Sequence, residues 1–221
     1  MDTVTAPVHV PLTRTAVAAV AGLVGPVLFS VAFVAQGLAR RDEYDPVSEP
    51  VSALEAGPNG WLQQVNFVVF AAFLLVFAIG LHRAIAPSRR GVLGPALLGL
   101  CCVGLCLAAA IPLREDAAGD TYDPGGHFVA GVIFFLSSSL ALLALSRRFA
   151  DDPHWRGLAT YTLVAGLCAV AGFVLLGFFV IPEDAPLHEY AGLAQRGVLW
   201  LVTFPCLLAI AWRMHRLSAP R

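Results

Sequence analysis

Lysine is absent from this chain, and charge of either sign is scarce. All fourteen basic residues are arginine, and with fifteen acids the charged residues make up only 13% of 221 positions. Soluble domains carry about 25%. With a hydrophobic fraction of 58% and a mean hydropathy of +0.75, the composition excludes an ordinary soluble globule. An all-arginine basic set in a chain rich in Ala, Val, Gly and Leu points to a GC-rich bacterial genome, which concerns origin and not mechanism.

Other absences narrow the chemistry. The five cysteines (Cys101, Cys102, Cys106, Cys168, Cys206) are odd in number and form no Cys-x-x-Cys pair. All lie in apolar stretches, so neither a disulfide framework nor a zinc site is expected, and they read as small packing residues. The middle of every apolar stretch lacks charge, which counts against proton-coupled or ion-coupled transport. A net charge of −1 with no basic patch larger than a loop gives no reason to expect a nucleic-acid partner. The first apolar stretch is too long for a signal-peptide core and has no clear small-residue cleavage site, so it reads as an uncleaved insertion signal.

What the chain does have is six apolar stretches: Thr15–Ala39, Gly60–Leu81, Gly91–Leu113, Gly126–Ser146, Gly157–Pro182 and Ala191–Trp212. Each reaches or exceeds the roughly 20 residues that a helix needs to cross the bilayer core. They divide the rest into seven polar pieces. The odd-numbered pieces hold Arg14, Arg83, Arg89, Arg90, Arg147, Arg148, Arg156, Arg213, Arg216 and Arg221. The even-numbered pieces hold Arg40, Arg41, Arg114 and Arg196, and most of the acids: Asp42, Glu43, Asp45, Glu49, Glu55, Glu115, Asp116, Asp120, Asp123, Glu183, Asp184 and Glu189. Arginine-rich short loops stay in the cytoplasm. The expected fold is therefore an all-α polytopic protein of the cytoplasmic membrane. It has six transmembrane helices in three hairpins, with both termini inside and acidic loops outside. Residues 1–14 form a cytoplasmic tail, 15–213 a single six-helix domain, and 214–221 a second tail.

The outer loops resemble one another. Ile111-Pro112-Leu113-Arg114-Glu115-Asp116-Ala117 parallels Ile181-Pro182-Glu183-Asp184-Ala185, and Tyr-Asp-Pro occurs at residues 44–46 and 122–124. A repeated helical hairpin would explain this, and such repeats are common in transport folds; convergence of short acidic, proline-bearing loops would explain it too. Gly22 and Gly25, Gly94 and Gly99, and Gly172 and Gly177 thin three helices where backbones can approach. Pro26, Pro95 and Pro205 lie within spans, where neighbouring helices must satisfy the freed carbonyls. Ser137, Ser138 and Ser139 read as interhelical hydrogen bonders.

The informative polar residues gather at the outer face. Arg196 falls about a turn inside the last span, where it must snorkel or find a carboxylate. Asp116 is the expected partner, with Glu115 and Asp184 as substitutes. His127 opens the fourth span after Gly125-Gly126, on a face shared with Gly131, Phe134 and Ser138. It is expected to point into the bundle and to meet Asp116 as a hydrogen-bond partner, a base or a ligand. Gln63 and Asn66 share a face of the second span, Ser48 and Ser52 precede it, and Gln195 stands beside Arg196. Together these residues would line a small polar chamber open to the outside.

Those same segments resemble a known family. Tyr44-Asp45-Pro46, Val51-Ser52-x-Leu54 and Gly60-Trp61-Leu62-Gln63-Gln64-x-Asn66-Phe67 are similar to the first outer loop and second helix of a bacterial membrane family, domain of unknown function 998. Gly25-Pro26 with Phe29, Asp116 with Gly126-His127, and Gly192-Leu193-Ala194-Gln195-Arg196 match its other recurring features. The resemblance runs from about residue 15 to 215. It implies a six-helix integral membrane protein and no particular activity.

Three functions compete. The first, favoured over an enzyme, is a membrane protein whose outer polar pocket binds a lipid headgroup or a small polar or anionic ligand, with Arg196 as the anion contact and Gln195, Gln63, Asn66 and Ser52 around it. No metal or cofactor is expected in it. The second is a hydrolase at the outer leaflet using His127 and Asp116. A zinc version would need about three ligands around an open position, more than the outer histidines His127 and His188 supply. The third is a transporter or channel subunit, for which no ring of like charges appears.

Overall fold

Six helices are long and apolar enough to cross a membrane. The computed structural model describes residues 12–85, 91–119, 121–182 and 184–218. Arg89, Arg90, Asp120, Glu183 and Arg221, which enter the charge alternation, and the tail before residue 12 lie outside the described residues. The helices are α1 (Leu12–Ala39), α2 (Trp61–Ala84), α3 (Leu93–Ala110), α4 (His127–Ala150), α5 (Ala159–Leu175) and α6. A π-helical turn, Leu176–Val180, extends α5. α6 is continuous through Ala191–Gly197, a π-helical segment Val198–Thr203, and Phe204–Ser218.

Their ends follow local chemistry. α3 stops at Ala110, short of the expected Leu113, because Pro112 drives the residue before it out of the helical region; Ile111 sits at φ −122°, ψ 67°. At 18 residues it still rises about 27 Å, close to the thickness of the hydrocarbon core. α4 runs past Ser146 through Arg147 and Arg148 to Ala150, and α6 continues to Ser218. α1 starts inside the stretch assigned to the tail.

Each helix packs on its neighbours in sequence, and α6 returns to α1, so the six close into a ring. The core is apolar and aromatic, with Phe29, Phe33, Phe70, Phe77 and Phe149 all buried. Cys101, Cys102 and Cys206 are buried within it, whereas Cys106 and Cys168 are exposed; all five are free.

The three connections richest in acids converge at one end, called here the acidic end. There a short 3₁₀ helix (Val51–Glu55) precedes α2, and a two-residue hairpin pairs β1 (Arg114–Glu115) with β2 (Thr121–Tyr122). At the opposite, basic end the connection after α4 is folded in. Trp155, 1% exposed, stacks on Phe149 at 4.9 Å between ring centroids. Buried Arg148 pairs with buried Asp152 at 3.2 Å, and Arg213 donates twice to the His154 carbonyl, at 2.8 and 2.6 Å.

Candidate functional site

The first loop is held down by backbone carbonyls. A helix start leaves its first N–H groups without partners, and at α6 the loop supplies them. Leu193 N–H donates to the Val47 carbonyl at 2.9 Å, and Gly192 N–H to Ser48 at 3.3 Å. The approach is so close that a Cβ on Gly192 would lie 2.2 Å from the Glu49 carbonyl oxygen, which requires glycine there. One turn on, the Gln195 side-chain oxygen accepts the Val51 N–H at 2.8 Å.

Arg196 completes the clamp. Its Nη1 donates to the carbonyls of Pro46 (2.8 Å) and Glu49 (3.0 Å), and its Nη2 to the Tyr44 hydroxyl. The guanidinium lies over the rings of Phe33 and Tyr44, at 5.7 and 5.6 Å. It is buried as expected, at 6% exposure, but its partners correct the expected pairing with Asp116, Glu115 or Asp184. Carbonyl oxygens and ring faces compensate the cation without a carboxylate. Arg40 acts in parallel, donating to Leu54 (3.2 Å) and Ala56 (2.8 Å). Arg196 is thus committed to the loop, and the Arg40 Nε, 3.8 Å from the Glu43 carboxylate, faces an acid already.

His127 lies where the sequence places it, at the first position of α4, pointing inward and 7% exposed. Gly125 and Gly126, at φ +113° and +122°, turn the chain so that Asp123 caps the helix. Its carboxylate accepts N–H groups of Gly125 (2.8 Å), His127 (3.1 Å) and Phe128 (2.9 Å). Burial raises the Asp123 pKa, but these three donors outweigh it and hold the group below the usual carboxylate range.

The partner of His127 is Glu55, not Asp116. The ring Nδ1 is 3.0 Å from the Ile111 carbonyl and 3.2 Å from Glu55 Oε2. A carbonyl can only accept, so the tautomer that satisfies Ile111 carries its hydrogen on Nδ1 and leaves Nε2 as the basic nitrogen. Glu55 is 4% exposed, and its carboxyl faces the His127 ring and the Leu113 N–H. Burial pushes its carboxyl up to about 8, against the weaker pull of the Leu113 N–H. Asp116 sits in the exposed turn between β1 and β2, where it accepts the Ala118 N–H at 2.8 Å.

Beneath the first loop lies a cavity of about 590 Å³ to which all six helices contribute. Its walls are apolar, with Phe29, Phe67, Phe134, Phe135, Phe173 and Phe178 among them. Polar groups are few: Ser52, Asp123, His127 and Gln195, all from the acidic end. Of the expected chamber residues, the structure brings Ser52, Gln195 and His127 to this cavity. Gln63 and Asn66 stand apart from it in a buried network. There the Gln63 oxygen accepts from Gln36 (3.0 Å) and Asn66 (3.1 Å), and Asn66 also donates to the Phe29 carbonyl at 3.2 Å. The chamber is therefore an apolar cavity with a polar rim. Both π-helical turns border it, through Leu176, Gly177 and Phe178 on α5 and Leu199 on α6. Such turns recur at functional sites.

Sequence reasoning missed Glu55, although it carried a signal. Unlike the other acids of its loop it stands in an apolar run, between Val51-Ser52-Ala53-Leu54 and Ala56. Among the described residues, no group of three His, Cys, Asp or Glu is placed to hold a metal ion. No curated protein and no solved structure matches the chain. The family model described as "Protein of unknown function (DUF998)" matches residues 23–213; with six membrane-spanning helices in that segment, the chain is an integral membrane protein belonging to this family.

Proposed function

We propose that the protein holds an amphipathic molecule of the membrane in the cavity under its first loop. The apolar part lies among the phenylalanines and the head meets Ser52, His127 and Gln195. The observation that carries this reading is the division of one 590 Å³ space into apolar walls and a polar rim. Its volume is that of small-molecule sites, which run about 300–1,000 Å³ and place a few polar groups in an apolar lining. The ligand is a lipid or lipid-like molecule, and Arg196 positions the loop over it without contacting an anionic head.

The distribution of arginine supports a cytoplasmic membrane with the basic end and both termini inside. A phosphatase fusion at the α2–α3 connection that proved active outside the cell would reverse this orientation.

Gly131 tests the cavity. It lines the space, and a Cβ there would meet nothing within 4 Å. Gly131→Phe should fill the cavity while leaving the fold intact. In native mass spectrometry of protein released from phosphatidylcholine nanodiscs, the wild type should keep a lipid-mass adduct at activation energies that strip it from the variant. Equal retention by both would overturn the reading.

The contact between His127 and Glu55 favours a second reading, acid–base chemistry at the same cavity. His127 is the base, Glu55 in place of Asp116 orients it, and Ser52 is on the same wall. Fluorophosphonate labelling of the wild type but not of Ser52→Ala would promote this reading, and no labelling would set it aside.

A further inference from the structure

The geometry points to a cationic head on the ligand: the cavity selects lipophilic cations, of the alkylammonium kind, over neutral and anionic amphiphiles of the same tail. This rests on the amphiphile reading above and sharpens it from the charges that face the space.

Charges of both signs stand at this end, but the one that reaches the cavity wall is acidic. Among the described residues, no arginine lines the cavity. The two closest to the first loop, Arg40 and Arg196, are committed to its carbonyls. From the connection before α4 comes Asp123, with three of its roughly four acceptor positions filled by N–H groups. From the first loop comes Glu55, behind His127. Burial favours the neutral, protonated form of that carboxyl. α6 offers the Gln195 amide, and the other groups on the walls carry no charge. Among the described residues that line the cavity, Asp123 carries the one formal charge; Arg196, bonded to neutral carbonyls and the Tyr44 hydroxyl, keeps its charge behind the loop and off the wall.

Two further features work in the same direction. A helix N-terminus ordinarily attracts anions, and α4 starts at this rim; but Asp123 already occupies its first N–H groups, so an incoming anion finds the position taken. The walls are phenylalanine faces, whose negative quadrupole attracts a cation by about 0.5–2 kcal/mol, most strongly where water is excluded. An alkylammonium thus meets a carboxylate and ring faces, whereas an alkyl sulfate meets the same carboxylate with no cation to offset it.

The test uses three probes with one tail: tetradecyltrimethylammonium, tetradecyl maltoside and tetradecyl sulfate. They compete for the full-length protein carrying the reporter Phe173→Trp, in phosphatidylcholine nanodiscs so that surface charge does not sort them. Saturable change in the reporter's fluorescence is the readout. The ammonium probe should bind at least ten-fold more tightly than the maltoside, and the sulfate most weakly. Asp123→Asn, which keeps a capping side chain, should remove most of the preference for ammonium and leave the smaller part that the ring faces supply. Sulfate binding as tight as ammonium, or an ammonium preference undiminished by Asp123→Asn, would overturn the inference and leave the amphiphile reading standing. Absence of saturable binding by all three would overturn both.

Discussion

Toward the basic end α4 and α5 are pressed together: a Cβ on Gly166 would lie 2.7 Å from Leu143 Cδ2. Toward the acidic end of the same two helices, a Cβ on Gly131 or Gly177 would meet nothing within 4 Å. α3 repeats the first pattern at its basic end, where Gly94 faces Leu145 at 2.6 Å. Buried carboxylates divide the same way. Asp152, at the basic end, is paired with Arg148 and accepts the His154 N–H at 3.0 Å. Glu55, at the acidic end, is as deeply buried and faces His127 at 3.2 Å where Asp152 faces an arginine. The basic end is tight between α4 and α5 and pairs its buried acid with arginine, whereas the acidic end keeps the larger cavity and a buried acid that faces a histidine. Natural sequences give up local consistency mainly at functional sites, so the contrast itself marks the acidic end as the working half.

The largest test of that contrast is to break the compensated pair. Arg148→Met keeps the apolar stem and removes the charge, leaving Asp152 buried. Loss of one partner of a buried pair costs about 3–5 kcal/mol, and the apparent melting temperature in detergent should fall by roughly 6–20 °C for a chain of this size. Glu55→Gln, at the other end, should lose nothing by the same measurement at neutral pH. A melting temperature for Arg148→Met within 2 °C of wild type would show that the basic end does not depend on this pair.

A smaller effect separates the filled half from the open one by volume alone. Gly166→Leu forces a side chain into Leu143, and overpacking of this kind costs about 1–3 kcal/mol. Gly131→Leu places the same side chain into empty space and relieves a helix of a glycine, which is worth up to about 1 kcal/mol in the stabilising direction. The two variants should therefore move the melting temperature in opposite directions. Equal losses would mean that the space beside Gly131 is not open in the membrane.

Much of the frame was legible because membrane insertion leaves a coarse signature. Uncharged runs mark the spans, and Pro112 accounts for the early stop of α3. The burial of Arg196 could be read from its distance to the nearest charge. Its partners could not, because any loop offers carbonyls and nothing in a sequence marks which of them turn inward. Gln63 and Asn66 do share a helix face, but that face meets Gln36 and the Phe29 carbonyl on α1; a periodicity identifies a face and not what lies opposite it. The cavity was the least legible feature, since glycines that permit contact, such as Gly166, and glycines that border emptiness, such as Gly131, are the same letter. Glu55 stood in an apolar run, a signal that needed only to be weighed against the more conspicuous acids of the neighbouring loops.

The smallest expected effect follows from that acid. Burial raises the Glu55 carboxyl from 4.5 to about 8, so between those values the folded chain keeps a proton that the unfolded chain has released. Stability falls with pH wherever the folded state binds more protons. The contribution is fully present below 4.5, declines through neutrality, and is gone above about 8. Glu55→Gln carries a neutral amide at every pH and lacks this decline. Melting temperatures of the two proteins should coincide near pH 5 and separate steadily toward pH 8.5, with the variant the more stable. His127 touches Glu55, so the difference between the curves reports the loss of this contact as a whole. Curves that stay parallel from pH 5 to 8.5 would mean that the carboxylate is compensated after all, and the acidic end would then differ from the basic end in its packing but not in its charge.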